Sequence, residues 1–473
     1  MKQLTTTRRS GSTIAMTAIA AIFALAAPLG AQAEFDGSKA RVNLSTKLRA
    51  LSQTVAGASC RLNAGFDAPT AIADLTKAAR DFDEILAGLE AGNPVLGIPS
   101  AEQAPKTLRA LKGVSTLWDP VKMASENLVA DASAASDLDS IIAKKDELLE
   151  TTEVLAAEIA GQYSNPQELL QSDAITLNIA SRQKMLIERI ASDLCRVATG
   201  KADDTILAAM KADINIFNQS LIALRDGYAD AGIYPPPNES IKVLLEDLVS
   251  KWTGIKLQIE LFVSAGAVSP EASIKVAEMS KSVTHDMNNL ITLYMLAAPG
   301  QESVYRPQLA AYAEQELSKW GKNPELVAAI KAQNERHAGL SLDDIDVLDK
   351  EWRAEAKGEA TGDLISSTLA LPESIWLRDQ QAATAGFVTE VFVMDNKGLN
   401  VAQSDQTSDY WQGDEDKWLE TYASGGKSIH ISEVEYDDST GTYQSQASLP
   451  IFDPASGELI GAITFGINIQ SLM

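Results

Sequence analysis

The sequence predicts a multidomain chain of α plus α+β class, with two tandem antiparallel four-helix bundles, a helical connector and a small C-terminal α+β domain. Three observations carry this. A long helical segment recurs after 135 positions, the apolar residues keep a three-and-four spacing up to about residue 300, and the texture turns to short alternating strands after Val388.

The repeat is seen in "NLSTKLRALSQTVAGASCRLNAG" (43–65) and "NIASRQKMLIERIASDLCRVATG" (178–200), each with a cysteine at the same place. With the same offset Phe82 matches Phe217, Leu86 Leu221, Leu89 Leu224, Gly92 Gly227 and Ile98 Ile233. After one deletion Trp118 matches Trp252. Units longer than 100 residues are tandem domains, not solenoid repeats. In the first unit Leu44, Leu48, Leu51, Val55, Ala58 and Leu62 form one helical stripe, and Ile72, Leu75, Ala79, Phe82, Leu86 and Leu89 a second. Further helices are predicted near 102–129 and 138–163. Asn165-Pro166 marks the break before a second set near 176–198, 203–225, 239–264 and 271–297. Four amphipathic helices with short connections make an antiparallel bundle. The domains are therefore drawn at 34–165 and 170–300, with a connector at 301–385 and a last domain at 386–473. The stretch "LDKEWRAEAKGEATGD" (348–363) reads as solvated, so fragments 34–300 and 370–473 are each expected to fold alone. Within 386–473, "TEVFVMDNKGLNVAQS" reads as strand, turn and strand, followed by an aromatic loop-helix segment and three more strands.

Residues 1–33 have the form of an export leader. Lys2, Arg8 and Arg9 precede an apolar run from Ile14 to Leu29, and "AQA" (31–33) fits the small-x-small cleavage rule, so cleavage is expected near Ala33. The expected location is the periplasm; an uncleaved leader acting as an anchor is the alternative. The whole chain has a net charge of −24, and removing three positive charges with the leader gives −24 − 3 = −27. Such a surface repels phosphate backbones and anionic lipid, which argues against nucleic-acid or membrane-surface binding. Two cysteines in 473 residues exclude a disulfide-dense scaffold. Cys60 and Cys195 are expected as small apolar fillers in two separate cores. A bond between them would need the two first helices side by side, with Cα atoms within ~7 Å. No P-loop, G-x-S-x-G or metal-ligand spacing is present, so neither enzyme activity, nor a cofactor, nor a metal site is expected.

The segments "VNLSTKLRALSQTVA" and "LNIASRQKMLIERIA" resemble the first helix of the type IV pilus methyl-accepting chemotaxis transducer N-terminal domain, the same family as the sensor bundle of nitrate/nitrite histidine kinases. The resemblance covers about 41–165 and 176–298. In those sensors two such helices pair across a dimer and trap an anion with arginines. The resemblance places Arg49 on that arginine and puts Lys184 at the equivalent position of the second copy. Arg49 shares a stripe with Ser45, Ser52, Ala56 and Ser59, small residues that let another helix approach. An unpaired guanidinium there offers a planar fork to an anion; the plainer reading is an arginine paired with nearby carboxylates.

Residues 388–469 resemble a single Cache domain, a PAS-like extracytoplasmic sensor whose ligand sits between the sheet and the loop-helix segment. That resemblance directs attention to Tyr410, Trp411, Asp414 and Trp418, aromatics beside a carboxylate that suit an amine or amino acid. Core packing is the competing reading for the same aromatics. Together the resemblances imply a periplasmic ligand-sensing or solute-binding protein for an amine, amino acid or small anion. It would lack an output domain of its own and pass its signal through a membrane receptor or kinase partner, with homodimer formation as a further expectation. The alternative is a structural or assembly protein of the cell envelope that binds nothing small.

Overall fold

A computed structural model describes residues 35–164, 170–264 and 268–473. The leader, its cleavage site and the Asn165-Pro166 break lie outside the described residues.

The first bundle consists of α1 (Ser38–Asn63), α2 (Ala68–Ala91), α3 (Pro105–Ala130) and α4 (Ala135–Tyr163). The second consists of α5 (Gln171–Ala198), α6 (Asp204–Asp226), α7 (Glu239–Ser264) and α8 (Pro270–Ala297). The two are built alike down to single contacts. Phe82 stacks on Trp118 with ring centroids 4.0 Å apart, and Phe217 packs on Trp252 at 4.1 Å. Trp118 Nε1 donates to Asp83 Oδ1, and Trp252 Nε1 donates to Asn218 Oδ1, the residue 135 positions on. Gly92 and Gly227 end their helices at φ 82° and 83°, a region closed to most side chains.

The bundles pack through their first helices. α1 and α5 run parallel, so that residues 134 to 135 apart in sequence meet across the seam. Thr54 Oγ1 donates to Glu188 Oε2 at 3.0 Å, and a Cβ added to Gly57 would lie 3.3 Å from Ser192 Cα. Cys60 and Cys195 are bonded to each other, with Cα atoms 6.2 Å apart. The expectation that they fill two separate cores is thereby corrected: Cys195 joins the apolar cluster of the first bundle. Small residues on one stripe of α1 allow this close approach. Two further ion pairs bind the halves reciprocally, Lys145 of α4 to Asp193 of α5 and Lys281 of α8 to Asp74 of α2. The result is a pseudo-two-fold pair of bundles within one chain.

The third region contains α9 (Tyr305–Gln315), α10 (Pro324–His337), α11 (Leu342–Ala356), α12 (Leu364–Leu369) and α13 (Pro372–Ala382). Its antiparallel sheet is formed by β1 (Val388–Met394), β2 (Asn400–Gln403), β3 (His430–Ile431), β4 (Glu435–Asp437), β5 (Thr442–Phe452) and β6 (Leu459–Ile467). The order is β2-β1-β6-β5-β3, with β4 on the far half of β5. A short helix α14 (Asp416–Trp418) runs into a π-helical turn at Leu419–Ala423 over one face. On the other face Val391, Val393, Leu449, Ile463 and Phe465 share a core with Leu309, Tyr312, Leu317, Trp320, Ile330 and Leu377. The polar connector expected at 301–385 is therefore one wall of the sheet domain. Within the stretch read as solvated, Trp352 is fully buried and Asp349 nearly so.

The sheet domain docks on both bundles. Asn43 Nδ2 donates to Ser471 Oγ, Gln470 Nε2 donates to Asn288 O and Thr292 Oγ1, and Tyr312 OH donates to Val95 O. His285 Nε2 and Asn289 Nδ2 both reach Gly441 O.

Two outcomes follow from these contacts. Replacing both cysteines, Cys60→Ser with Cys195→Ser, should lower unfolding free energy by about 2–4 kcal/mol, since a long loop is no longer closed in the unfolded chain; denaturant unfolding with and without reductant measures it. A fragment 370–473 should be insoluble or unfolded because it lacks the apolar wall from 305–330, whereas 301–473 should unfold cooperatively by circular dichroism.

Candidate functional site

A cavity of about 410 Å³ lies where the bundles meet. Its lining follows the duplication: Val42 and Leu177, Asn43 and Asn178, Thr46 and Ser181 come as pairs from α1 and α5. Ala156 and Ile291, and Ala160 and Met295, come as pairs from α4 and α8. Each pair differs by 135 in number, so the cavity sits on the pseudo-two-fold axis. Gln470 and Met473 add a wall from the C-terminal segment.

One pair of pairs breaks the symmetry. Arg49 and Glu153 line the cavity, whereas their duplicates Lys184 and Asn288 do not. Lys184 Nζ instead donates to Asn288 Oδ1 at 2.8 Å. Arg49 makes no ion pair among the described residues; its Nε donates to Thr46 O at 3.3 Å. Burial weakens the hold of Arg49 on its proton, the Glu153 charge opposes that, and Arg182 reinforces it. For Lys184, burial first and then the Lys47 and Arg49 charges push the ammonium down to about 7. Lys47, beside Asp81 and bonded to Ala385 O, is also lowered by burial. Glu188 lies in the seam, where burial raises its carboxyl against the hydrogen bonds from Ser280 and Thr54. Cations drawn from water in this way favour an anionic guest.

Residues 32–143 and 168–278 both match the model of the type IV pili methyl-accepting chemotaxis transducer N-terminal domain. Each bundle is therefore similar to that domain over its first three helices. No curated protein and no solved structure matches the chain. No helix among the described residues is long and apolar enough to cross a membrane.

Beyond the transducer domains, the four sheet-domain residues singled out from the sequence are split between two places. Tyr410 stacks on Trp352 with centroids 5.2 Å apart, and the Tyr410 and Trp411 backbone N–H groups donate to Asp349 Oδ1. Trp411 Nε1 donates to Lys397 O. Trp418 lies across the other face, stacked on Tyr422 and packed near Phe392, Met394 and Ala462, with Nε1 donating to Asp395 O. Asp414 is exposed on the loop between. On the strand that carries Phe392 is a group the sequence reading missed. Glu390 is buried, accepts from Gln444 Nε2 and Gln446 Nε2, and burial pushes its carboxyl up to about 7. Its side chain crosses Gly466, where a Cβ would collide with it. An acidic residue among the apolar residues of β1 was the available signal. In the transducer bundles the missed residues are Glu153 and Asn288, whose offset of 135 was readable but whose facing was not.

The Lys184 shift has a measurable sign. Between its folded value near 7 and the ordinary lysine value near 10.4, the unfolded chain holds a proton that the folded chain does not, so this group's contribution to stability rises with pH across that window. Lys184→Met should stabilise the protein most at and below pH 7, and the gap from the unsubstituted protein should shrink toward pH 10. Denaturant midpoints across that pH range check it.

Proposed function

We propose that the protein is a periplasmic sensor that takes a small solute into the axial cavity and passes the event to a membrane receptor or kinase partner. The supporting observation is the asymmetric cavity itself, with an arginine that makes no ion pair among the described residues, between two bundles similar to transducer domains. A volume near 400 Å³ is at the small end of ligand pockets, which suits a solute and not a peptide. Transducer sensing domains are non-enzymatic, in keeping with a binding role. The export leader expected at 1–33 supports the compartment.

A second site has its own observation. Among the described residues Glu390 is buried with no cation in ion-pair contact, Lys417 acting on it only from a longer distance, and Gln403, fully buried on the neighbouring β2, has both side-chain polar atoms unpartnered. With Trp418 and Tyr422 above the same strand, this face sets aromatics beside a carboxylate, which suits an amine, and the Cache resemblance implies a ligand between the sheet and this loop-helix segment. Tyr410, Trp411 and Asp414 would then shape its rim.

A thermal-shift series of the full protein with nitrate, acetate, L-leucine and putrescine separates these sites. A ligand that binds only the folded state adds RT ln(1 + [L]/Kd), about 2.7 kcal/mol at a hundredfold excess over Kd. We expect at least one anionic or zwitterionic probe to stabilise the protein, with the effect lost in Arg49→Gln and kept in Trp418→Ala. Loss in Trp418→Ala alone would move the site to the sheet domain, and no stabiliser at all would favour the assembly role.

A further inference from the structure

We infer that the axial cavity takes an α-amino acid with an apolar side chain, and not the bare inorganic anion suggested by a pair of facing arginines. This rests on the reading of that cavity as a binding site. Three features of the lining carry it. Arg49 and Glu153 line the same cavity from neighbouring helices without forming an ion pair, leaving a cation and an anion that both keep unused bonding capacity. A lone anion would satisfy Arg49 and be repelled by Glu153. A zwitterion placed between them gives its carboxylate to the guanidinium and its ammonium to the carboxylate, two charge-assisted contacts where either alone leaves a charge unmet.

The second feature is the duplicated half. At the equivalent positions the charges are gone from the cavity: Lys184 is turned away onto Asn288, a neutral amide where Glu153 has its counterpart. Lys39 of α1 also lines the cavity, but Arg49 and Glu153 together form one head-group pole, as a single zwitterion needs, whereas two equivalent cations would serve a symmetric anion. The third is the remaining wall. Leu177, Ile291, Met295 and Met473, with the alanines of α4, form an apolar surface far larger than an inorganic anion can contact. An aliphatic side chain buried there contributes about 25 cal/mol per Å² of apolar surface removed from water. Because Met473 and Gln470 belong to the segment that docks the sheet domain, the far end of the solute would touch that segment directly.

Calorimetric titration of the full protein with L-leucine, 4-methylpentanoate, isopentylamine and nitrate tests this. The second and third probes are leucine without its ammonium and without its carboxylate. Leucine should bind, and each truncated analogue should bind at least about tenfold more weakly, the loss expected when a charged partner goes unmet. Arg49→Gln should abolish leucine binding. Glu153→Gln should weaken leucine about tenfold while leaving 4-methylpentanoate unchanged or tighter, a split that a folding defect would not produce. Equal affinity for leucine and 4-methylpentanoate, with Glu153→Gln silent, overturns the inference in favour of a plain carboxylate. Nitrate binding that depends on Arg49, with no leucine binding, overturns it while leaving the sensor reading intact. No binding by any probe removes both.

Discussion

Every other feature of this molecule depends on α1 lying against α5. These helices meet in parallel along a stripe of small residues, with Gly57 close against Ser192. The cavity lies on the N-terminal side of that contact, lined by residues 39–49 of α1 and 174–181 of α5. The sheet domain also needs both, since Asn43 holds Ser471 while α8, packed on α5, holds Gln470. The seam is unusually polar for an interface between cores. Glu188 is held by hydroxyls of both halves, and Gln53, its duplicate, is buried beside Ser52. Glu188, met from both halves, defines the register, because a slip would leave it unmet, whereas Gln53 Oε1 has no partner among the described residues.

The bundles were legible in the sequence because helical periodicity separates inside from outside within one unit. Phe82 with Trp118, and Phe217 with Trp252, follow from that alone. Periodicity cannot say what an outer stripe packs against. Arg49 with its serines and alanines could be seen as a stripe that admits a neighbour, but not that the neighbour is the chain's own second copy. The cysteines were misread for the same reason. The connector failed differently. Its charged surface hides a few apolar anchors, and Trp352, buried against Tyr410, occupies the middle of a segment whose average composition is that of a solvated loop. Tyr410 and Trp411 were found as aromatics, yet the partner that fixes them, Asp349, lies some sixty residues upstream where no local pattern points.

Charge is distributed against the grain of the whole. The chain is strongly acidic, yet Lys47, Arg49 and Lys184 gather at the seam, each held below its ordinary proton affinity by burial. At long range the surface field disfavours anions, an effect that salt screens within about 10 Å. At short range the desolvated cations favour them. A solute with no net charge escapes the first penalty and still meets the second attraction.

Duplication within one chain has a consequence for stoichiometry. A homodimer that builds a site on its axis must offer the ligand two identical halves, assembles only above its dissociation constant, and binds one guest per two polypeptides. Here the halves are joined covalently, by the peptide chain and again by Cys60–Cys195. The axial chamber therefore persists at any dilution, one per polypeptide. Its two sides are also free to drift apart in sequence, so a mutation can alter one face of the chamber without being copied onto the other. Arg49 facing Glu153 on one side, and Lys184 turned to Asn288 on the other, is a division of labour that no symmetric pair of subunits can adopt.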